Sequence, residues 1–257
     1  MNEKITVVCA ANNRKILEHM LIPSVSKQKN VTIDLKIYEN QYGSAAETFL
    51  HAIEETDSDY ICFVHQDLSF TRDDFLFELI NNIKKEPDAL YGLCGALEHN
   101  GNTQVYSCTY HGIQNKNIGQ RFESKLRVRG LDEIFLACHR NVFKMISFDM
   151  ETFDGWDLYI QDLCMQAEIK GIPVYVLPLE NTHKSILEMP EYFNIVGLYP
   201  DTFYLYLDRL RNKYAGTVSK IVCPCIQIVT ANPEFAVKTA RMKVRTKIKR
   251  VFRRLSL

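Results

Sequence analysis

Apolar and polar positions alternate in blocks through the first hundred residues. Lys4–Ala10 (KITVVCA) is a short, nearly unbroken apolar run, the pattern of a buried strand. Arg14–Gln28 has helical spacing, with a break expected at Pro23. Val31–Glu39 (VTIDLKIYE) alternates and predicts a second strand. Asn40–Ser44 reads as a turn and Ala45–Glu55 as a helix. Asp59–Val64 (DYICFV), rich in aromatic and β-branched residues, predicts a third strand. Asp73–Lys85 is an amphipathic helix that stops before Pro87, and Ala89–Leu97 is a fourth strand. This β-α-β-α-β-α-β order predicts an α/β fold, a mostly parallel sheet with helices on both faces.

The pattern then changes. Thr103–Asn117 is polar and strand-like, as expected of a hairpin or loop at a sheet edge. Asp132–Phe143 mixes strand and helix signals. Phe153–Lys170 is helical towards its end, and Gly171 supplies the stop. Ile172–Leu177 returns to strand, Pro190–Tyr199 is irregular, and Asp201–Lys213 is a helix with Asp201 as its cap. No repeat or linker interrupts the chain before its basic end. The expected partition is one domain over 1–235 and a C-terminal helical extension over 236–257.

Composition narrows the class. The 257 residues are 46% apolar and include 14 Phe and 13 Tyr, enough to fill a core, which excludes disorder for the bulk of the chain. No run of about 18 apolar residues is free of charge, so no membrane span is expected. The start, MNEKITVVCAANNRK, lacks a signal-peptide layout, and the expectation is a cytoplasmic protein. Several of the eight cysteines sit in apolar runs and none forms a CxxC pair. Cys223 and Cys225 flank Pro224, too close for the usual zinc spacing. Free thiols are expected, with a disulfide or metal role for that pair as the lesser alternative.

The net charge of zero conceals an asymmetry. From Lys238 onward there are nine Lys or Arg and no acid, so the preceding residues carry a net charge of −9. Within this end Val237, Ala240, Val244, Ile248, Val251 and Leu255 recur every three or four residues, giving one apolar helical face among cations. Such a helix over 238–254 suits an anionic membrane surface. Docking on the acidic body is the next reading, whereas that body would repel a nucleic acid.

Three side chains stand out for chemistry. Asp67, in HQD directly after the third strand, lies where ligands of open α/β sheets bind. It is either a turn residue or an oxygen ligand for a hard cation. Asp162 falls near the start of a helix among Phe153, Trp156 and Tyr159. It is either a partner of the helix dipole or, if partly buried, a general base. His183 follows the strand at 172–177 and is either an ordinary polar residue or a metal ligand. No GxGxxG, P-loop or HExxH is present, which counts against dinucleotide, triphosphate and zincin chemistry.

Four segments carry a resemblance: Tyr60–Phe70 (YICFVHQDLSF), Leu131–Phe143 (LDEIFLACHRNVF), Phe148–Lys170 (FDMETFDGWDLYIQDLCMQAEIK) and Gly171–Ser185 (GIPVYVLPLENTHKS). Together and in order they resemble the family 2-like glycosyltransferases of GT-A fold, in particular a bacterial branch marked by FVHQD. Agreement spans roughly residues 4–186. The resemblance implies that Asp67 holds Mn²⁺ or Mg²⁺ on a donor diphosphate, with His65 in the place of the first acid of a DxD motif and His183 completing the metal site. It implies that Ala10, Ala11 and Asn12 approach the nucleotide, that Gln66 is among the donor-binding residues, and that Glu39 contacts the base. Trp156 and Asp157 would line the acceptor side, and Asp162 would be the catalytic base. The chain departs from relatives at Ile160, Gln166, Ala167 and Asp157. The implied activity is metal-dependent, inverting transfer from a nucleotide-diphosphate sugar, most simply a UDP-sugar, to a glycan or lipid-linked hydroxyl at the inner membrane leaflet. The alternatives are a nucleotidyltransferase, for which Arg14 and Lys15 are the available cations, and a non-catalytic glycosyltransferase-like binding protein.

Overall fold

The computed structural model describes residues 2–112, 116–117, 119–183 and 201–225. The irregular segment expected at 190–199, the boundary at 235–236 and the basic helix over 238–254 lie outside the described residues.

The strands in chain order are β1 (Glu3–Ala11), β2 (Val31–Glu39), β3 (Tyr60–Val64), β4 (Leu68–Phe70), β5 (Leu90–Gly92), β6 (Cys94–His99), β7 (Asn102–Ser107), β8 (Thr109–His111), β9 (Lys116–Asn117), β10 (Leu126–Arg127), β11 (Gly130–Leu131), β12 (Phe135–His139), β13 (Val174–Val176) and β14 (Asn181–His183). The helices are α1 (Arg14–His19), α2 (Leu21–Ser26), α3 (Ala45–Glu55), α4 (Phe75–Lys85), α5 (Tyr159–Lys170) and α6 (Asp201–Lys213). Seven strands form the main sheet in the order β10-β13-β5-β12-β3-β1-β2. It is mostly parallel; β12 runs antiparallel between β3 and β5, and β10 antiparallel to β13.

Alternation along the strands builds two cores. Ile5, Val7 and Cys9 of β1 face one side with Tyr60, Cys62 and Val64 of β3, under α1, α2 and α4. Val8, Ile61 and Phe63 face the other side, under α3, α5 and α6. Both faces are covered, which is why these strands read as apolar runs.

Three expectations need correction. The helical stretch 14–28 breaks at Met20 (φ −116°, ψ −78°), not at Pro23. Pro23 sits in the first turn of α2, where its missing N–H costs nothing. The fourth strand is two strands: β5 lies in the main sheet, whereas β6 joins β7 and β11 in a separate three-stranded sheet. The segment 103–117 is divided between that sheet and a third one of order β4-β14-β8-β9. Period-two patterning marks strands but does not name their partners. Gly171 ends α5 with φ +72° and all eight cysteines are free thiols, as expected; Ser44, at the end of the expected turn, caps α3.

Candidate functional site

The carboxyl ends of β1 and β3 open into a cleft of about 240 Å³, near the small end of ligand pockets. Ala10, Ala11, Asn12, Asn40, Phe49, Val64, His65, Gln66, Asp67, Trp156 and Tyr159 line it. Both loops at its floor are fixed by one side chain. Gln66 Oε1 accepts from the backbone N–H groups of Asn12 (3.0 Å) and Asn13 (2.9 Å), and Gln66 Nε2 donates to Asn12 Oδ1 (2.6 Å). Asn13 in turn caps α1 through Ile16 N–H (3.2 Å). Asn40 turns the chain at φ +50°, a conformation Asn tolerates, and donates its N–H to Ala11 O at 3.0 Å. Glu39 stands opposite Ala11 in the β1–β2 register but is ion-paired with Arg14 and does not line the cleft.

The sheet pairing brings Asp67 and His183 together across 116 residues of chain. His65 N–H donates to Ile134 O (3.1 Å) and Leu68 N–H to His65 O (3.2 Å), forming the turn that carries Asp67 into β4. β4 pairs antiparallel with β14, placing His183 opposite Leu68. His183 Nε2 then lies 3.0 Å from Asp67 Oδ1, and His65 Nδ1 4.0 Å from the same oxygen. Asp67 and His183 are nearly buried, with side chains 11% and 10% exposed. Burial opposes charge on His183, but the Asp67 carboxylate outweighs it and holds the imidazole pKa above its ordinary value. Despite the 3.0 Å approach, His183 Nε2 lacks the alignment of a hydrogen bond and has no hydrogen-bond partner.

Ligand atoms of His65, Asp67 and His183 all lie within 4.8 Å of one another. Two imidazoles and one carboxylate, with His183 Nε2 buried and without a hydrogen-bond partner, fit a divalent transition cation.

Trp156 also lines the cleft and is half exposed. It precedes Leu158, a buried residue held at φ +64°, a strained conformation that starts α5 and turns Tyr159 into the cleft. Asp157 does not line the cleft; burial raises its carboxyl pKa, opposed by a hydrogen bond with Thr202. Beside it, Glu133 has a buried Oε1 without a hydrogen-bond partner. Burial, then the charges of Asp157 and Asp132, raise the Glu133 pKa well above the carboxylate range, while the Leu158 N–H opposes the shift.

Asp162 lies in the first turn of α5, as its sequence position implied. It is fully buried and is not among the cleft-lining residues. Its Oδ1 accepts from Tyr214 OH (2.8 Å) and lies 2.7 Å from Lys213 Nζ, while Oδ2 accepts from Gln166 Nε2 (2.8 Å). These contacts join α5 to α6. Burial raises the Asp162 pKa and the three partners oppose it.

Several residues escaped the sequence reading. Asn40, Phe49, Val64 and Tyr159 line the cleft, and His111 Nδ1 lies 3.3 Å from His183 Nδ1. Asn40 and Tyr159 sit just past the end of a strand and at the start of a helix, signals that were available. His111 had none, because its contact depends on strand pairing 72 residues apart.

Residues 5–191 match the model of a glycosyltransferase-like family. Comparison with curated proteins found no match. Among solved structures, GalNAc-T7 with UDP, GalNAc and Mn²⁺ superposes with a TM-score of 0.54 at 11% identity, over 82% of this chain and 50% of that one. S. aureus TarS 1–349 in complex with UDP-GlcNAc superposes with a TM-score of 0.52 at 13% identity, over 82% and 66%. The chain thus spans half to two thirds of the structures it resembles, and at these identities the likeness is one of fold. With the family model covering most of its length and the sheet and helices laid out as in these neighbours, the chain belongs to the glycosyltransferase-like family and has a GT-A fold.

Proposed function

We propose that this protein is a cation-dependent glycosyltransferase that moves a sugar from a nucleotide-diphosphate sugar to a hydroxyl of a glycan or lipid-linked acceptor. The observation that carries this reading is the convergence of His183 on His65 and Asp67, two residues that line the cleft at the ends of β1 and β3. GalNAc-T7 carries UDP and Mn²⁺ and TarS carries UDP-GlcNAc, which supports a UDP-sugar as donor here. The nitrogen-rich donor set favours Mn²⁺ over Mg²⁺, which prefers oxygen ligands. Held by Asp67, His183 and His65, the cation would neutralise charge on the departing diphosphate.

The rest falls to the chain itself. Ala10 and Ala11, with no bulk beyond Cβ, let the nucleotide approach the end of β1, and the Gln66–Asn12 pair keeps that loop rigid. Glu39 sits beside this end of the cleft for the base. The half-exposed Trp156 offers an aromatic face to the apolar side of a sugar ring. A single displacement inverts the anomeric centre. Asp157 lies outside the cleft lining but is next to Trp156, which lines it; with its pKa raised by burial, it is the candidate to accept the hydroxyl proton. Asp162 is occupied by Tyr214, Lys213 and Gln166 and serves the fold. The nucleotidyltransferase alternative weakens because Arg14 is engaged by Glu18 and Glu39. From its sequence, segment 238–254 binds the anionic inner leaflet and not nucleic acid; among the described residues no helix is long and apolar enough to cross a membrane.

The test is a calorimetric panel of nucleotide sugars with and without Mn²⁺. Mn²⁺-dependent binding of a UDP-sugar is expected. Absence of binding by every member in a folded sample would return the reading to a non-catalytic relative.

A further inference from the structure

We propose that His111 is a positioning residue for the cation: it accepts the Nδ1 proton of His183 and so aims the His183 Nε2 lone pair at the space shared with Asp67 and His65. The proposal rests on the reading of these three residues as a cation site.

The pairing of β8 with β14 sets the geometry. The two strands are parallel, His183 stands opposite His111, and Gly112 N–H donates to His183 O at 3.1 Å. Directly opposed residues of neighbouring strands share a face of the sheet. The two Nδ1 atoms face each other at 3.3 Å, with the rings nearly perpendicular at 83°.

Two imidazole nitrogens hydrogen-bond only when one carries the proton and the other does not. A His183 that offers its Nε2 lone pair to a cation must carry its proton on Nδ1. His183 is then the donor, His111 Nδ1 the acceptor, and the His111 proton sits on Nε2. The reverse assignment would put the His183 proton on Nε2, against Asp67, where the 3.0 Å approach is not aligned for a hydrogen bond. The Nε2 atoms of both rings are buried without a hydrogen-bond partner. An unpaired, buried His183 Nε2 is costly, and a purely structural histidine pair does not explain it. A cation between His183, Asp67 and His65 satisfies the His183 nitrogen. Ligating histidines as a rule donate their second N–H to a fixed acceptor, and here that acceptor is an imidazole.

The experiment is a Mn²⁺ titration of the full chain, followed by the loss of the free-ion EPR signal, with and without UDP. Substituting His111→Phe should weaken Mn²⁺ binding by about 10- to 100-fold, the usual effect of losing such an orienting partner. The cation-free melting temperature should stay near that of the unmodified protein. His111→Gln, whose amide oxygen accepts a hydrogen bond, should recover most of the affinity. Unchanged binding by His111→Phe, alongside loss of binding by an Asp67→Asn control, would overturn the role of His111 and leave the cation site standing. No Mn²⁺ binding by the unmodified protein, or full binding by Asp67→Asn, would overturn both. Two-bond ¹H–¹⁵N spectra of the unmodified protein read the tautomers without any substitution, and a His183 protonated on Nε2 would also overturn the proposal.

Discussion

Tyr214 donates its hydroxyl proton to Asp162 Oδ1 at 2.8 Å, joining the segment after α6 to the first turn of α5. Lys213 Nζ reaches the same oxygen at 2.7 Å and Asp149 Oδ2 at 2.7 Å. A carboxylate enclosed this way is a structural hub, because removing it leaves a cation and a hydroxyl short of their partner.

Asp162→Ala should therefore destabilise the protein by about 3 kcal/mol, the low end for breaking a buried pair, since Lys213 keeps Asp149. Chemical denaturation measures this. At temperatures where the variant is folded, UDP·Mn²⁺ affinity should stay close to that of the unmodified protein. Loss of nucleotide binding without loss of stability would show that Asp162 belongs to the cleft.

Asp67→Asn removes the one carboxylate of the His65–Asp67–His183 group. Mn²⁺-dependent UDP binding should fall by about 10-fold or more while the circular dichroism spectrum is unchanged. Isothermal titration with Mn²⁺ and with EDTA separates the two contributions. Equal affinity in both conditions would sink the cation assignment.

Glu133 predicts a pH effect on stability. Burial raises its pKa most, the charges of Asp157, Asp132 and Cys223 add to this, and the Leu158 N–H opposes it. Its folded pKa is raised above the unfolded value, so its contribution is full below the ordinary carboxylate pKa of 4.5 and is lost as pH rises through the folded value. Glu133→Gln has no such loss. The melting temperature of Glu133→Gln relative to the unmodified protein should therefore climb between pH 5 and pH 8, as read by differential scanning fluorimetry. A difference that is constant or shrinks with pH would contradict the burial of this carboxylate.

Deleting 238–257 removes nine cations and no acid. Co-sedimentation with vesicles containing phosphatidylglycerol should be lost, and binding by the full chain should weaken with salt. Equal sedimentation by the truncated protein would place the membrane contact elsewhere or nowhere.

The strand and helix periods, the stop at Gly171 and the location of Asp67 after the third strand were legible because each depends on neighbours a few residues away. The resemblance singled out His65 and His183, and the fold brings them beside Asp67. Tertiary structure alone decided the rest. It inserted β12 antiparallel beside β3, split 89–97 between two sheets, and seated β14 between β4 and β8, so that His183 meets both Asp67 and His111. It also gave Asp162 to Tyr214, 52 residues away. The physical reason is the same in each case: periodicity along a chain records which face of an element is buried, whereas its partner is chosen by the packing of the whole core.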